Sequence, residues 1–163
     1  MHSNQILCIH PATFRGFISL NWLDLSSNKI SSIDPVGFTD LTSLEILSFH
    51  SNQISSIDPD TFKDLFFLKF LNLDSYKISI NPSPFNGLYS LEKLFLENNK
   101  IIHISEKIFN DLIDLKYLNL KSNQIIEFNK DSLFGLFWLQ KICMYDNPIS
   151  AGKVFRIFNF GSL

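Results

Sequence analysis

Cysteine, glycine and proline are scarce: two, six and six in 163 residues. Two cysteines exclude a disulfide-dense scaffold. The glycines are scattered, and neither a glycine-rich phosphate loop nor a Cys/His cluster is present. Neither sign of charge dominates. Fourteen basic residues face sixteen acidic ones, for a net charge of −2, which gives no electrostatic case for nucleic acid or an anionic membrane. No run approaches the roughly 18 apolar residues of a membrane span. The opening MHSNQILCIHPATF lacks the cationic head and apolar run of a secretory signal. The glycosylation triplet at Asn81 is disqualified by Pro82 in its middle.

What is present is self-similarity. The stretch from Leu44 to Phe67, LEILSFHSNQISSIDPDTFKDLFF, recurs before and after itself. Units start at Leu20, Leu44, Leu68, Leu91, Leu115 and Leu139, in steps of 24, 24, 23, 24 and 24 residues. The pattern is L-x-x-L-x-L-x-x-N-x-I-x-x-I-x-x-x-x-F-x-x-L-x-x. Its fourth column holds Leu23, Leu47, Leu71, Leu94, Leu118 and Ile142. Its ninth holds Asn28, Asn52, Tyr76, Asn99, Asn123 and Asn147. Its nineteenth holds Phe38, Phe62, Phe85, Phe109 and Leu133.

Each column has a physical task. In L-x-x-L-x-L the last two leucines sit two apart, the strand period, so both face one side. One unit cannot bury its own leucines. Parallel stacking of neighbours makes a continuous core in which each unit touches only the next. The asparagine follows the strand, where the chain turns inward. Its amide, both donor and acceptor, suits the backbone groups of adjacent turns. The phenylalanine column, with Phe14 ahead of it, accounts for five of the 17 phenylalanines as a stacked spine rather than a ligand site.

This pattern resembles the leucine-rich repeat, in its class of about 24 residues per turn, across about residues 4–149. The resemblance implies an α/β solenoid: a horseshoe segment with a concave parallel β-sheet and convex loops or short helical turns. It also implies binding rather than catalysis. The class is found mostly in animal receptor and matrix ectodomains such as Toll-like receptors, Slit proteins and small proteoglycans.

The expected organisation is one solenoid over residues 1–163. It has a half repeat at 1–19, repeats at 20–43, 44–67, 68–90, 91–114 and 115–138, and a terminal repeat with tail at 139–163. Asn4 and Phe14 lie 24 residues before Asn28 and Phe38, so the chain opens inside a repeat, as expected of a fragment of a longer protein or of an incompletely assembled gene. Cys8 and Cys143 stand more than five turns apart, about 25 Å at roughly 4.8 Å per strand. That is beyond the ~7 Å that a disulfide allows between Cα atoms. In repeat 68–90, Tyr76 replaces the ladder asparagine, one residue is lost before Phe85, and Pro82 and Pro84 intervene. Either a kink or looser stacking is expected there, or the departures are simple sequence drift. The Asn147-Pro148 pair resembles the family's last repeat before a cysteine-rich cap. The cap cysteines do not follow, and the apolar tail AGKVFRIFNFGSL reads as a lid over the core or as a truncated remnant.

The positions between the leucines are free of core duty, and they carry the candidate site. They supply Trp22, Ile46, Phe70, Lys93 and Tyr117 from the third column. Asp24 and Phe95 come from the fifth, and His50, Asp74, Lys121 and Tyr145 from the seventh. Aromatic residues on solvent-facing strand positions, edged by charge, match the composition of binding patches. Catalysis finds no support. The four histidines fall in different columns, without metal-ligand spacing. His50 and Asp74 align with Ser26 but have no oxyanion device. No cofactor is implied. Two functions fit: a protein-binding module of an extracellular or cell-surface receptor, its protein ligand on the concave face, or an intracellular scaffold or adaptor.

Overall fold

The structure, a computed structural model, describes residues 1, 4–75, 78, 80, 83–128 and 130–149. Tyr76, Pro82 and the tail 150–163 lie outside the described residues. Ten short strands are present among the described residues. They are β1 Cys8–Ile9, β2 Trp22–Asp24, β3 Ser32–Ile33, β4 Ile46–Ser48, β5 Phe70–Asn72, β6 Lys93–Phe95, β7 His103–Ile104, β8 Tyr117–Asn119, β9 Glu127–Phe128 and β10 Lys141–Cys143. One 3-10 turn, Lys130–Leu133, follows β9. Among the described residues no helix is long and apolar enough to cross a membrane.

The L-x-x-L-x-L columns build a six-stranded parallel sheet in the order β2-β4-β5-β6-β8-β10. Register follows the repeat column for column: Leu23 pairs with Leu47, Leu47 with Leu71, Leu71 with Leu94, and Leu94 with Leu118. The 23-residue step leaves this register unbroken on the sheet side. On the other side two parallel pairs form, β1 with β3 and β7 with β9. Among the described residues the solenoid thus has loops, short ribbons and a single helical turn opposite the sheet.

The core lies between these layers. Leu44, Leu47, Leu71, Leu94, Leu118 and Leu120 are all fully buried. Phenylalanine rings form the spine, with centroids 5.7 Å apart for Phe14–Phe38, 6.2 Å for Phe38–Phe62 and 5.8 Å for Phe85–Phe109. Among the described residues the run of ring contacts breaks between Phe62 and Phe85, the step at which one residue of the repeat is missing.

The asparagine column forms a ladder. Asn52 accepts from Ile30 N–H at 3.0 Å and donates to the carbonyls of Leu25 at 2.9 Å and Phe49 at 2.7 Å. Asn123 and Asn147 repeat the arrangement, each joining its own turn to the one before. Asn99 does the same through Ile78 and Leu73, and its acceptor oxygen also takes a bond from Ser75 Oγ at 3.0 Å. The residue just before Asn28 and before each of these four asparagines is bent into the left-handed region: Ser27, Ser51, Asn98, Ser122 and Asp146 have φ of 53°, 59°, 55°, 53° and 58°. That conformation costs an L-residue about 1–2 kcal/mol. It turns the chain inward so that the following amide reaches the buried carbonyls.

Candidate functional site

The concave positions divide by column. In the third, Trp22 is 63% exposed and Ile46, Lys93 and Lys141 are exposed too, while Phe70 and Tyr117 are half-buried. In the fifth and seventh, Asp24, Phe95, His50, Asp74 and Lys121 are half-buried and Tyr145 is exposed. Not every intervening position is free of packing. Ser26, Ser48 and Asn119 are buried, because parallel strands bring small polar side chains under their larger neighbours. Ser48 Oγ lies 3.0 Å from His50 Nδ1, and Asn119 donates to Glu97 Oε2 at 3.0 Å.

The rings converge at the middle of the sheet. Phe95 sits between Phe70, at 5.0 Å, and Tyr117, at 5.1 Å, both tilted. This three-ring ladder crosses β5, β6 and β8. Lysines flank it. Lys141 Nζ lies 5.5 Å from the Tyr117 ring, and Lys121 Nζ 5.1 Å from the Tyr145 ring, within cation–π range. The Tyr117 hydroxyl meets Cys143 Sγ at 3.5 Å. That hydrogen bond first, and burial second, push the phenol up to about 12, so it stays neutral and available as a donor. Cys8 and Cys143 are both free thiols.

Charge along the seventh column is handled unevenly. Glu97 pairs with Lys121 at 2.8 Å. The bond from that ammonium, with a further one from Asn119, holds the Glu97 carboxyl below its ordinary value. Asp74 behaves in the opposite way. It accepts from Glu97 N–H at 2.6 Å and forms no ion pair among the described residues. Burial, and then the nearby Glu97 charge, raise it from 3.8 to about 6. His50, aligned with it in the same column, lowers the value only through its field and makes no salt bridge with it.

The raised value has a consequence for stability. Folded Asp74 holds a proton up to about pH 6, whereas the unfolded chain releases it near 3.8. Stability therefore falls as pH rises between those values and stays reduced above them. Asp74→Asn keeps the acceptor for Glu97 N–H and removes the charge. It is expected to stabilise the chain by about 1 kcal/mol at pH 7.5, the residual solvation of the carboxylate limiting the gain. At pH 3.5 the expected change is near zero. Denaturant melts of both proteins at the two pH values check this.

A second exposed apolar surface runs along one flank of the repeats. In the column after the last core leucine stand Ile18, Phe66, Tyr89, Ile113 and Phe137, all exposed, with Phe137 at 83%. Phe67 and Trp138 adjoin them, and Thr42 interrupts the series. Recurrence at the repeat spacing was the available signal. Among the described residues no group of three His, Cys, Asp or Glu side chains is placed to hold a metal ion.

A sequence profile described as leucine rich repeat matches residues 1–48, 18–78, 75–125 and 90–149. No curated protein matches the chain. Among solved structures, TLR13 in the TLR13-ssRNA13 complex superposes with a TM-score of 0.84 at 33% identity, covering 90% of this chain and 21% of TLR13. Internalin C2 from Listeria monocytogenes strain 4b F2365 superposes with a TM-score of 0.74 at 27% identity, covering 91% of this chain and 61% of internalin C2. The chain thus spans less than two thirds of either protein.

Proposed function

The chain belongs to the leucine-rich repeat family, and from that membership we propose that it is a protein-recognition segment of an extracellular or cell-surface receptor, with the concave sheet as its contact face. One observation carries the reading. Phe70, Phe95 and Tyr117 form a half-exposed ring ladder on the solvent side of the sheet, where no core requirement places them. Rigid aromatic anchors ringed by charge are what protein contacts use. The likeness to TLR13 supports the receptor setting. TLR13 is found there with ssRNA, so RNA is the competing ligand class. The mixed charge of this face and a net charge of −2 favour protein. An intracellular scaffold is the second reading. It draws on the two free thiols, which suit a reducing compartment.

The test takes two measurements on each of Trp22→Ala, Phe70→Ala and Tyr117→Ala. Binding to cells displaying surface and secreted proteins is expected to fall about tenfold, about 1.4 kcal/mol. Thermal stability is expected to change by no more than about 1 kcal/mol, as for surface sites with some ring contact. A stability loss matching that of Leu71→Ala, about 2–5 kcal/mol, overturns the assignment of these rings to a contact face.

A further inference from the structure

Beside the ring ladder lies a cleft of about 190 Å³ lined by His50, Ser51, Asn72, Asp74, Ser75 and Asn98. Every lining residue is polar. The cleft and the ladder share strands: Phe70 and Asn72 lie two apart on β5, with Asp74 two further on, so all three project to the same face. We propose that this cleft receives a cationic side chain, arginine or lysine, of a protein ligand whose adjoining apolar residue lies on the Phe70–Phe95–Tyr117 ladder. The inference rests on the concave face being the contact surface and names the chemistry recognised there.

Charge complementarity is the argument. Three carboxylates of neighbouring turns each hold a lysine: Glu45 with Lys69 at 2.9 Å, Glu92 with Lys116 at 3.0 Å, and Glu97 with Lys121 at 2.8 Å. Asp74 stands in the same series of turns, more desolvated, without an ion pair among the described residues. Among the described residues, the titratable groups facing it are His50 from the preceding turn and Glu97 from the following one. Lys121 already neutralises Glu97, so the negative charge open to a ligand is that of Asp74. A half-desolvated carboxylate gains more from an incoming cation than an exposed one, since part of its dehydration is already complete. Serine and asparagine side chains around the cleft supply oxygens that accept from a guanidinium or ammonium.

The experiment is an amide-resolved NMR titration with two probes, acetyl-Arg-Phe-amide and acetyl-Leu-Phe-amide. At pH 7.5 the arginine probe is expected to shift the Ser51 and Glu97 amides and to half-saturate at a concentration about tenfold lower than the leucine probe. In D74N that preference disappears and the affinity becomes flat between pH 5 and 7.5. In the parent chain the preference falls at pH 5, as Asp74 takes up its proton. Equal affinity of the two probes for the parent, or an arginine preference surviving in D74N, overturns the proposal. The phenylalanine of both probes reports on the ladder separately. If F95A leaves both affinities unchanged while the arginine preference persists, the contact-face reading fails and the cleft stands.

Discussion

Replacing Phe62 by alanine lowers stability by about 3–5 kcal/mol, the range for deleting a buried aromatic ring. Phe62 is fully buried and stacks 6.2 Å from Phe38. It also lies at the end of an unbroken run of rings, beside the short repeat, and among the described residues it has no ring contact on that side. A solenoid adds a second effect. Each turn touches only its neighbours, so weakening one internal turn divides the array. Phe62→Ala is therefore expected to make denaturant unfolding both earlier and less cooperative. Phe14→Ala, at the first turn, is expected to fray one end and leave the main transition nearly in place. Circular dichroism melts of the two variants compare the outcomes. A Phe62→Ala midpoint within about 1 kcal/mol of the parent contradicts the spine.

Asn52→Ala is expected to cost about 1–3 kcal/mol. It strands Ile30 N–H and removes one donor from each of the Leu25 and Phe49 carbonyls, all buried. Asn52→Asp separates hydrogen bonding from mere space filling. The carboxylate still accepts from Ile30 N–H, but it turns an unpaired negative charge toward two carbonyl oxygens. It is expected to be at least as damaging as alanine at pH 7.5, and to recover part of the loss near pH 4 as the acid takes up a proton and becomes a donor again. Equal stability of the aspartate variant and the parent at pH 7.5 would falsify the two carbonyl bonds.

Much of this architecture was legible because the leucine columns repeat with a period that only a stacked solenoid satisfies. The column of Leu23, Leu47, Leu71, Leu94 and Leu118 gives the sheet register directly, and the phenylalanine column gives the spine. Asparagine in the ninth column announced a ladder, but not which carbonyls it reaches, since those belong partly to the turn before. The left-handed residues were hidden. Ser27, Ser51 and Ser122 carry no sign of positive φ, because serine takes that conformation only where its surroundings compel it. Burial within the concave face was also hidden. Alternation says which way Ser48 and Asn119 point, but not that His50 and Glu97 close over them. The behaviour of Asp74 follows from that same crowding, and from the lysine partner its neighbour Glu97 has and it lacks among the described residues. The exposed Phe66 and Phe137 were visible as letters. Position in the repeat alone does not show that this column is exposed, since it follows a buried leucine.

These two apolar surfaces, the concave ladder and the flank bearing Phe137, set up the most direct test of the proposed contact face. A photo-crosslinking amino acid is placed at Phe95, at Phe137 and, as a reference, at Lys107 in the loop region opposite the sheet. The chain is then exposed on living cells, and adducts are separated before and after ribonuclease or protease treatment. A contact face on the concave sheet gives a protein adduct from Phe95, abolished by protease and untouched by ribonuclease, with far less from Phe137 and Lys107. Adducts from Phe137 alone, or a ribonuclease-sensitive adduct from Phe95, would contradict it.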